Sequence, residues 1–247
     1  MKQNIFEEKI IATHRLLSPS HKAKKCHKNY RVADLVFNKY DILKDLSYTK
    51  ADERFMSFPE IQPLSINLSS IELPDHAITF SKSLSTKNYN QLVVFYEADV
   101  AFARVLHNPK RYIDHLKKFA YVVGPDYSQK IGYPNFVNYE NNWWNKALSA
   151  FYQQHGVRMI ANVSWSNPAS FSYAFLGIPK HSVIGINCSG IVSNDAAKYL
   201  WRKGYEKAIE LLEPLLIIRY GDRMPGERED ISVYFDNSNL KKLRNGR

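Results

Sequence analysis

The feature of this sequence that most restricts its fold is a series of short apolar segments alternating with amphipathic helical patterns. Five segments are strongly apolar and bounded by turn residues, at 92–99, 120–126, 158–165, 182–189 and 215–221. Weaker segments of the same kind lie at 77–84 and 231–236. Strands that are apolar on both faces are typical of a parallel sheet covered by helices. The segments therefore predict a mostly parallel sheet.

The helical patterns between these segments have readable ends. Asn108 and Pro109 can begin one helix, and a second apolar stripe over 135–155 stops before Gly156. Asn194 can cap a third helix. Strand, helix and strand recur at intervals of about 24 to 38 residues, which favours right-handed parallel units. We predict an α/β fold with a mostly parallel sheet. It is either a partial or distorted (β/α) barrel or an open doubly wound sheet.

The chain of 247 residues divides into three parts by composition. Residues 1–58 are basic and interrupted by Pro19 between two serines, which predicts a small helical or partly ordered N-terminal region. Residues 59–236 contain the strand and helix patterns and form the predicted α/β domain. Residues 237–247 form a basic C-terminal tail.

Positive charge is in excess and is clustered. The sequence has 34 Lys and Arg against 24 Asp and Glu, a formal net charge of +10. Two runs stand out, one in the N-terminal region and one in the tail: Lys22, Lys24, Lys25, Lys28 and Arg31, then Lys241, Lys242 and Arg244. Clustered cations release counterions from phosphates, so the runs predict nucleic-acid binding. The alternative is that they are solvated surface.

Several classes of protein are disfavoured. No stretch approaches the ~20 apolar residues of a membrane span, and Glu7 and Glu8 lie where a signal peptide would be apolar. We therefore expect a cytoplasmic protein without a membrane partner. Two cysteines cannot form a disulfide framework. The Walker, nucleophile-elbow, dinucleotide-binding and zinc-protease motifs do not occur.

Polar side chains concentrate near the carboxyl ends of the predicted strands. In parallel α/β folds this edge of the sheet binds ligands, so the polar residues are expected to converge on one site. The candidate catalytic residues are Glu97, Asp99, Asp126 and Asp222. The candidate substrate-binding residues are Asn162, Ser164, Trp165, Asn187, Ser189, Arg219 and Tyr220. Spacing by two residues places Glu97 and Asp99 on the same face of one strand.

This set of residues is compatible with three kinds of function. Two carboxylates with different pKa values would suit acid–base hydrolysis of a glycosidic bond. Carboxylates holding Mg²⁺ or Mn²⁺ would suit phosphodiester cleavage, although the sequence identifies no cofactor. The third possibility is a binding module without chemistry. Any single carboxylate can also have a structural role, as a cap or in an ion pair.

Five short motifs lie in order between Phe95 and Gly221: Phe95 to Asp99, Val123 to Ser128, Asn162 to Trp165, Phe175 to Lys180 and Arg219 to Gly221. In their order and spacing they resemble a bacterial and phage family, domain of unknown function 4417. The resemblance covers about half of the chain and implies a protein encoded by phages or other mobile elements. It favours a role near replication, transfer or interference with host defence over central metabolism.

The excess of positive charge and the family resemblance together favour a nucleic-acid-associated protein of a mobile element. In this hypothesis the protein is a metal-dependent phosphodiesterase that uses the strand-end carboxylates. The second hypothesis is a barrel-type hydrolase of a small nucleotide or sugar. The third is a non-enzymatic module that binds a host protein. The sequence leaves the substrate, the metal and the oligomeric state open.

Overall fold

The computed structural model describes residues 42–43, 45–50, 57–64, 72–191 and 194–235. Its centre is a seven-stranded sheet in which every neighbouring pair of strands is parallel. The strands are β1 (Ala77–Thr79), β2 (Leu92–Val94), β3 (Tyr121–Val123), β4 (Met159–Asn162), β5 (Val183–Asn187), β6 (Leu216–Tyr220) and β7 (Ser232–Phe235). Each lies within a segment that the sequence predicts as a strand. The second half of the segment 77–84 is helical instead.

Helices connect the strands and cover the sheet. They are α1 (Phe80–Ser83), α2 (Asp99–Phe102), α3 (Arg104–His107), α4 (Ile113–Leu116), α5 (Asn135–Gln154) and α6 (Asp195–Leu212), with 3₁₀ turns at Pro109–Tyr112, Pro168–Ser172 and Glu229–Ile231. The two long helices end as the sequence predicts. Asn194 caps α6 by accepting a hydrogen bond from the Ala197 amide at 3.0 Å. Gly156, just after α5, has a φ of +83°.

The sheet curls into a nearly closed barrel. Its strands follow the order of the chain from β1 to β7 without a reversal, so the doubly wound alternative is wrong. Tyr96, just after β2, and Tyr220, at the end of β6, have ring centroids 5.3 Å apart. In a flat sheet, strands four positions apart would be separated by about 19 Å. The contact across the barrel therefore requires strong curvature, and the prediction of a barrel-like α/β fold is confirmed.

The interior of the barrel is filled with side chains. One buried cluster combines residues from β2 to β7, including Leu92, Val94, Val123, Ile160, Val183, Ile218 and Phe235. The space is tight at Gly185, where a Cβ atom would lie 2.5 Å from Val123 Cγ1. The barrel is thus a packed core, and a ligand can enter only at its ends.

Two further apolar clusters lie between the strands and the helices. In the first, α5 contributes Leu148 and Phe151 beside Val93 of β2. In the second, α6 contributes Trp201 and Ala208 beside residues of β4 to β6. Residues 42 and 46, from the predicted N-terminal region, are buried in the first cluster. The three-part division of the chain stays a prediction, and both basic runs lie outside the described residues.

Candidate functional site

A cleft with a volume of about 370 Å³ lies where β3, β4 and β5 end. Five of the residues predicted from the sequence line it: Asp126, Ser164, Trp165, Asn187 and Ser189. The rest of the lining is Ser128, Gln129, Lys130, Ile131, Val163, Ser166, Ala197, Leu200 and Trp201. The volume is in the range of small-molecule sites, and the carboxyl edge is where parallel barrels bind ligands. This cleft is the candidate site.

Asp126 is the carboxyl group of the cleft. Its Oδ1 accepts a hydrogen bond from Asn162 Nδ2 at 2.9 Å, and Ser164 and Asn187, which follow or end the next two strands, lie near enough to lower its pKa. Burial raises the pKa of the Asp126 carboxyl above its ordinary value, and the charge of Asp99 adds to the rise. The three donors act against it, because they stabilise the ionised form. A carboxyl group with a raised pKa in a cleft is typical of a general acid or base.

Asn162 is fixed in one orientation by groups of the barrel interior. Its Oδ1 accepts a hydrogen bond from the Tyr96 hydroxyl at 3.0 Å, and its Nδ2 donates to Pro125 O at 3.1 Å and to Asp126 Oδ1. Burial raises the pKa of Tyr96 well above its ordinary value, so this hydroxyl keeps its proton and donates. Tyr96 therefore holds the amide with its donor towards Asp126. The sequence patterns missed Tyr96, since a tyrosine inside an apolar run is normally core.

A second chain of hydrogen bonds reaches Asp126 from the wall of the cleft. Gln129 Nε2 donates to Ser164 Oγ at 2.9 Å, and Ser164 contacts Asp126. On the other side of the cleft, Asn187 Oδ1 accepts from the Ser189 amide at 2.8 Å. Ser164 and Asn187, which line the cleft with Asp126, are thus themselves held in place.

The loop after β3 is held by asparagines of α5. Asn145 bonds both main-chain groups of Tyr127, accepting at 2.8 Å and donating at 3.2 Å. Asn138 does the same for Lys130, at 2.8 and 2.9 Å. These contacts satisfy loop backbone groups that would otherwise be buried without partners. Sequence reasoning missed this role, although amides at helical spacing were a usable signal: Asn138, Asn141, Asn142 and Asn145.

Trp165 forms an aromatic wall of the cleft. A Cβ atom at Gly204 would lie 2.1 Å from Trp165 Nε1 and 2.2 Å from Cε2, so α6 approaches the indole closely where it has no side chain. Trp201 and Phe175 pack around it, each with a ring centroid 6.2 Å away. The indole is partly exposed and lines the cleft, so its free surface can contact a ligand.

Glu97 and Asp99 do not share a strand face, and that prediction is wrong. β2 ends at Val94, and Asp99 is the first residue of α2. Glu97 accepts hydrogen bonds from the amide and hydroxyl of Ser81 in α1. Asp99 accepts from the hydroxyl of Ser128 at 2.9 Å and from its amide. The two carboxylates bind different serines and lie outside the cleft lining, although Ser128 connects Asp99 to the rim.

Arg219 lies on the outer face of the sheet, away from the cleft. Its side chain is fully buried, and its Nη2 is 2.5 Å from Glu227 Oε1, whose side chain is 1% exposed. It also donates to Ile186 O at 2.8 Å, contacts Cys188 Sγ at 3.0 Å and lies over the Trp201 ring. Arg219 therefore anchors the segment after β6 to β5 and α6. Glu227 was not predicted, because no spacing pattern in the sequence connects it to Arg219.

Asp222 and Tyr220 also lie outside the lining. The carbonyl oxygen of Asp222 accepts from Cys188 Sγ at 2.5 Å and from Arg219 Nη2 at 3.3 Å. Tyr220 is buried in the barrel interior beside Tyr96. Burial raises the pKa of the Cys188 thiol, which argues against a nucleophilic cysteine.

Two properties follow from the part of the chain that is described. Within it, no three His, Cys, Asp or Glu side chains come together as ligands for a metal ion. None of its helices is both long enough and apolar enough to cross a membrane. A cytoplasmic location stays a prediction.

Fold and site together define an α/β barrel protein with a ligand-sized cleft at the carboxyl edge of its sheet. The chain belongs to the family described as "Domain of unknown function (DUF4417)", whose model matches residues 54–237. This confirms the resemblance seen in the sequence motifs.

Proteins of two phages are similar to this chain. The Gene 1 protein of Mycobacterium phage L5 is 26% identical over 186 residues, which cover 74% of this chain and 78% of that protein. The Gene 1 protein of Mycobacterium phage D29 is 24% identical over 186 residues, covering 74% of this chain and 66% of that protein. No solved structure matches the chain significantly. Both relatives are phage proteins, which indicates a phage-associated protein, and their names state no activity.

Proposed function

We propose that this protein is a barrel-type hydrolase that cleaves a glycosidic bond in a small nucleotide or sugar. One observation carries the proposal: the Asp126 carboxyl group lies in a ligand-sized cleft, with a pKa raised by burial and an orientation fixed by the hydrogen bond from Asn162. Acid–base hydrolysis needs a carboxyl group that holds a proton near neutral pH and can release it.

In the proposed reaction Asp126 acts first as an acid. The bond between the anomeric carbon and the leaving nitrogen or oxygen breaks, its electron pair goes to the leaving atom, and Asp126 protonates that atom. Water then adds its oxygen to the anomeric carbon and returns a proton to Asp126, so that this one carboxyl group serves as acid and then as base. Asn162 and Asn187 keep the carboxyl group in place through both proton transfers.

The remaining strand-end carboxylates have supporting roles in this proposal. Asp99 holds Ser128 at the rim and raises the pKa of Asp126 through its charge. Glu97 holds the start of α1. A metal-dependent phosphodiesterase has less support, because the described carboxylates do not gather into a set of metal ligands. Mg²⁺ and Mn²⁺ stay untested as cofactors.

A panel of compounds tests the proposal. We expect the purified chain to release the free base or the aglycone from at least one nucleoside or small glycoside, measured by chromatography of the products. Asp126→Asn should release product at least about a hundredfold more slowly, and added Mg²⁺ or a chelator should not change the rate. Release by Asp126→Asn at the wild-type rate, or release that needs a divalent cation, would contradict the proposed mechanism.

A second proposal concerns nucleic acid, and the distribution of charge favours it. Residues 54–237 carry 19 Lys and Arg against 17 Asp and Glu, so eight of the ten net positive charges lie in the two ends of the chain. The family region is thus almost neutral. We propose that the ends bind nucleic acid weakly and with little sequence preference, and bring the barrel near it.

Salt dependence tests the charge proposal. Binding to a single- or double-stranded oligonucleotide should weaken steeply as salt rises, and replacing Lys22, Lys24, Lys25 and Lys28 by Gln should reduce the slope by about 0.9 for each phosphate that is no longer neutralised. A matched control removes the same charge from exposed lysines of the barrel: Lys82, Lys87, Lys110 and Lys117. Equal slopes for the two variants, or no binding at low salt, would contradict a role for the N-terminal run.

A further inference from the structure

Gln129 is the residue of the cleft with an open hydrogen-bonding position. Its Nε2 donates to Ser164 Oγ, while its Oε1 is buried and has no partner. The amide is thus placed with Nε2 towards Ser164 and with its acceptor unused.

An unpartnered buried acceptor is unfavourable, because it has lost its hydrogen bonds to water. Oε1 itself is enclosed, but Gln129 lines the cleft, so a ligand bound there can supply the missing donor after a small rotation of the amide. Ser164, which accepts from the other end of this amide, lies beside Asp126, the proposed catalytic group. The unused acceptor therefore favours a ligand whose N–H or O–H group donates a hydrogen bond to Gln129 Oε1.

The rest of the lining restricts the ligand further. Asp126 and Lys130 are its charged residues, so the lining has no cluster of cations for a phosphate group. Trp165 offers an aromatic surface backed by Gly204. Any planar nucleobase can stack on an aromatic side chain, because every base has an aromatic face. Among the small nucleotides and sugars that the proposed hydrolase would cleave, the kind that stacks, carries an N–H donor and lacks a phosphate is a nucleoside.

We propose that the cleft binds an uncharged nucleoside, with its base against Trp165 and a ring N–H donating to Gln129 Oε1. This inference rests on the proposed hydrolase and names its substrate class. It assigns specificity to Gln129, and it predicts discrimination between bases that carry a ring N–H and analogues that have lost it.

Methylated nucleosides test the inference on the wild-type chain. Calorimetry would compare uridine with 3-methyluridine and inosine with 1-methylinosine, in which a methyl group replaces the ring N–H. We expect the better-bound parent to bind at least about tenfold more tightly than its methylated analogue, since the lost donor leaves Oε1 unpaired. The corresponding 5′-monophosphate should bind no more tightly than the nucleoside.

Gln129→Leu removes the acceptor, and Gln91→Leu is its matched control. Gln91 also has a buried, unpartnered Oε1, but it precedes β2 at the opposite end of the barrel and does not line the cleft. Gln129→Leu should lose the preference for the parent nucleoside, and Gln91→Leu should keep it. Equal binding of parent and methylated compounds by the wild type would overturn the inference.

The two proposals can fail separately. If small glycosides are cleaved with dependence on Asp126 but nucleosides do not bind, the hydrolase stands and the nucleoside site is wrong. If nucleosides bind with dependence on Gln129 and are not cleaved, the nucleoside site stands and the hydrolase is wrong.

Discussion

Asp126→Asn is expected to lower kcat/KM for the cleaved substrate by a factor of about 10² to 10⁴, the usual contribution of a general acid or base. Asparagine has nearly the same shape and keeps one oxygen that can accept from Asn162 and Asn187. It cannot give or take a proton in the reaction. Binding of the ligand should therefore change much less than kcat, and steady-state kinetics separates the two.

Stability measurements on the same variant give an independent result. The pKa of Asp126 is raised in the folded chain, so at a pH between the ordinary and the raised value the folded state holds a proton that the unfolded state has released. The wild type therefore loses stability as pH rises through this interval. The Asp126→Asn variant does not lose stability in this way. Its denaturation midpoint should therefore rise relative to that of the wild type as the pH increases.

The control for this variant is Asp114→Asn, which changes an exposed carboxylate of α4. Its activity and its pH dependence of unfolding should match the wild type. If Asp126→Asn keeps full activity, or if its midpoint falls relative to the wild type as pH rises, Asp126 is not the buried acid described above.

Much of the fold could be predicted because strand patterns are local. Each of the seven strands lies in a segment that the sequence identifies, and the caps at Asn194 and Gly156 are where the helix ends require them. The lengths were less accurate: β2 and β3 stop at Val94 and Val123, before the polar residues. After β2 and β3 the polar residues belong to loops, whereas β4 and β5 include Asn162 and Asn187. Pairing across the sheet decides where a strand ends, and it involves residues far apart in the sequence.

The site could be predicted only in part, for a related reason. Asp126, Ser164 and Asn187 meet because consecutive parallel strands end at one edge, a rule that needs no detail of side chains. Which face a residue takes after the strand ends depends on the loop. Arg219 is inside β6 and alternates with the interior residues Ile218 and Tyr220, so it faces α6. The roles of Gln129 and Tyr96 depend on partners more than 30 residues away.

Glu227→Gln is expected to destabilise the protein by about 3 to 5 kcal/mol, the cost of removing one partner of a buried ion pair. Arg219 and Glu227 are 0% and 1% exposed, and Nη2 and Oε1 are 2.5 Å apart. Burial lowers the pKa of Arg219, but the hydrogen bond to Glu227 and the nearby Cys188 raise it above its ordinary value overall, so the guanidinium stays charged. The variant would leave that charge buried with carbonyl and thiol partners but no carboxylate. Denaturant unfolding measures the loss.

The matched control lies three residues further along the chain. Arg228 and Asp230 form an ion pair at 2.6 Å, but their side chains are 51% and 60% exposed. Water replaces a lost partner at the surface, so Asp230→Asn should leave the midpoint almost unchanged. Replacing both Arg219 by Met and Glu227 by Gln should cost less than the sum of the two single changes, because the double variant leaves no unpaired charge. If Glu227→Gln is no more destabilising than Asp230→Asn, then Arg219 does not depend on Glu227, and the segment after β6 must be anchored by its contacts with β5 and α6 alone.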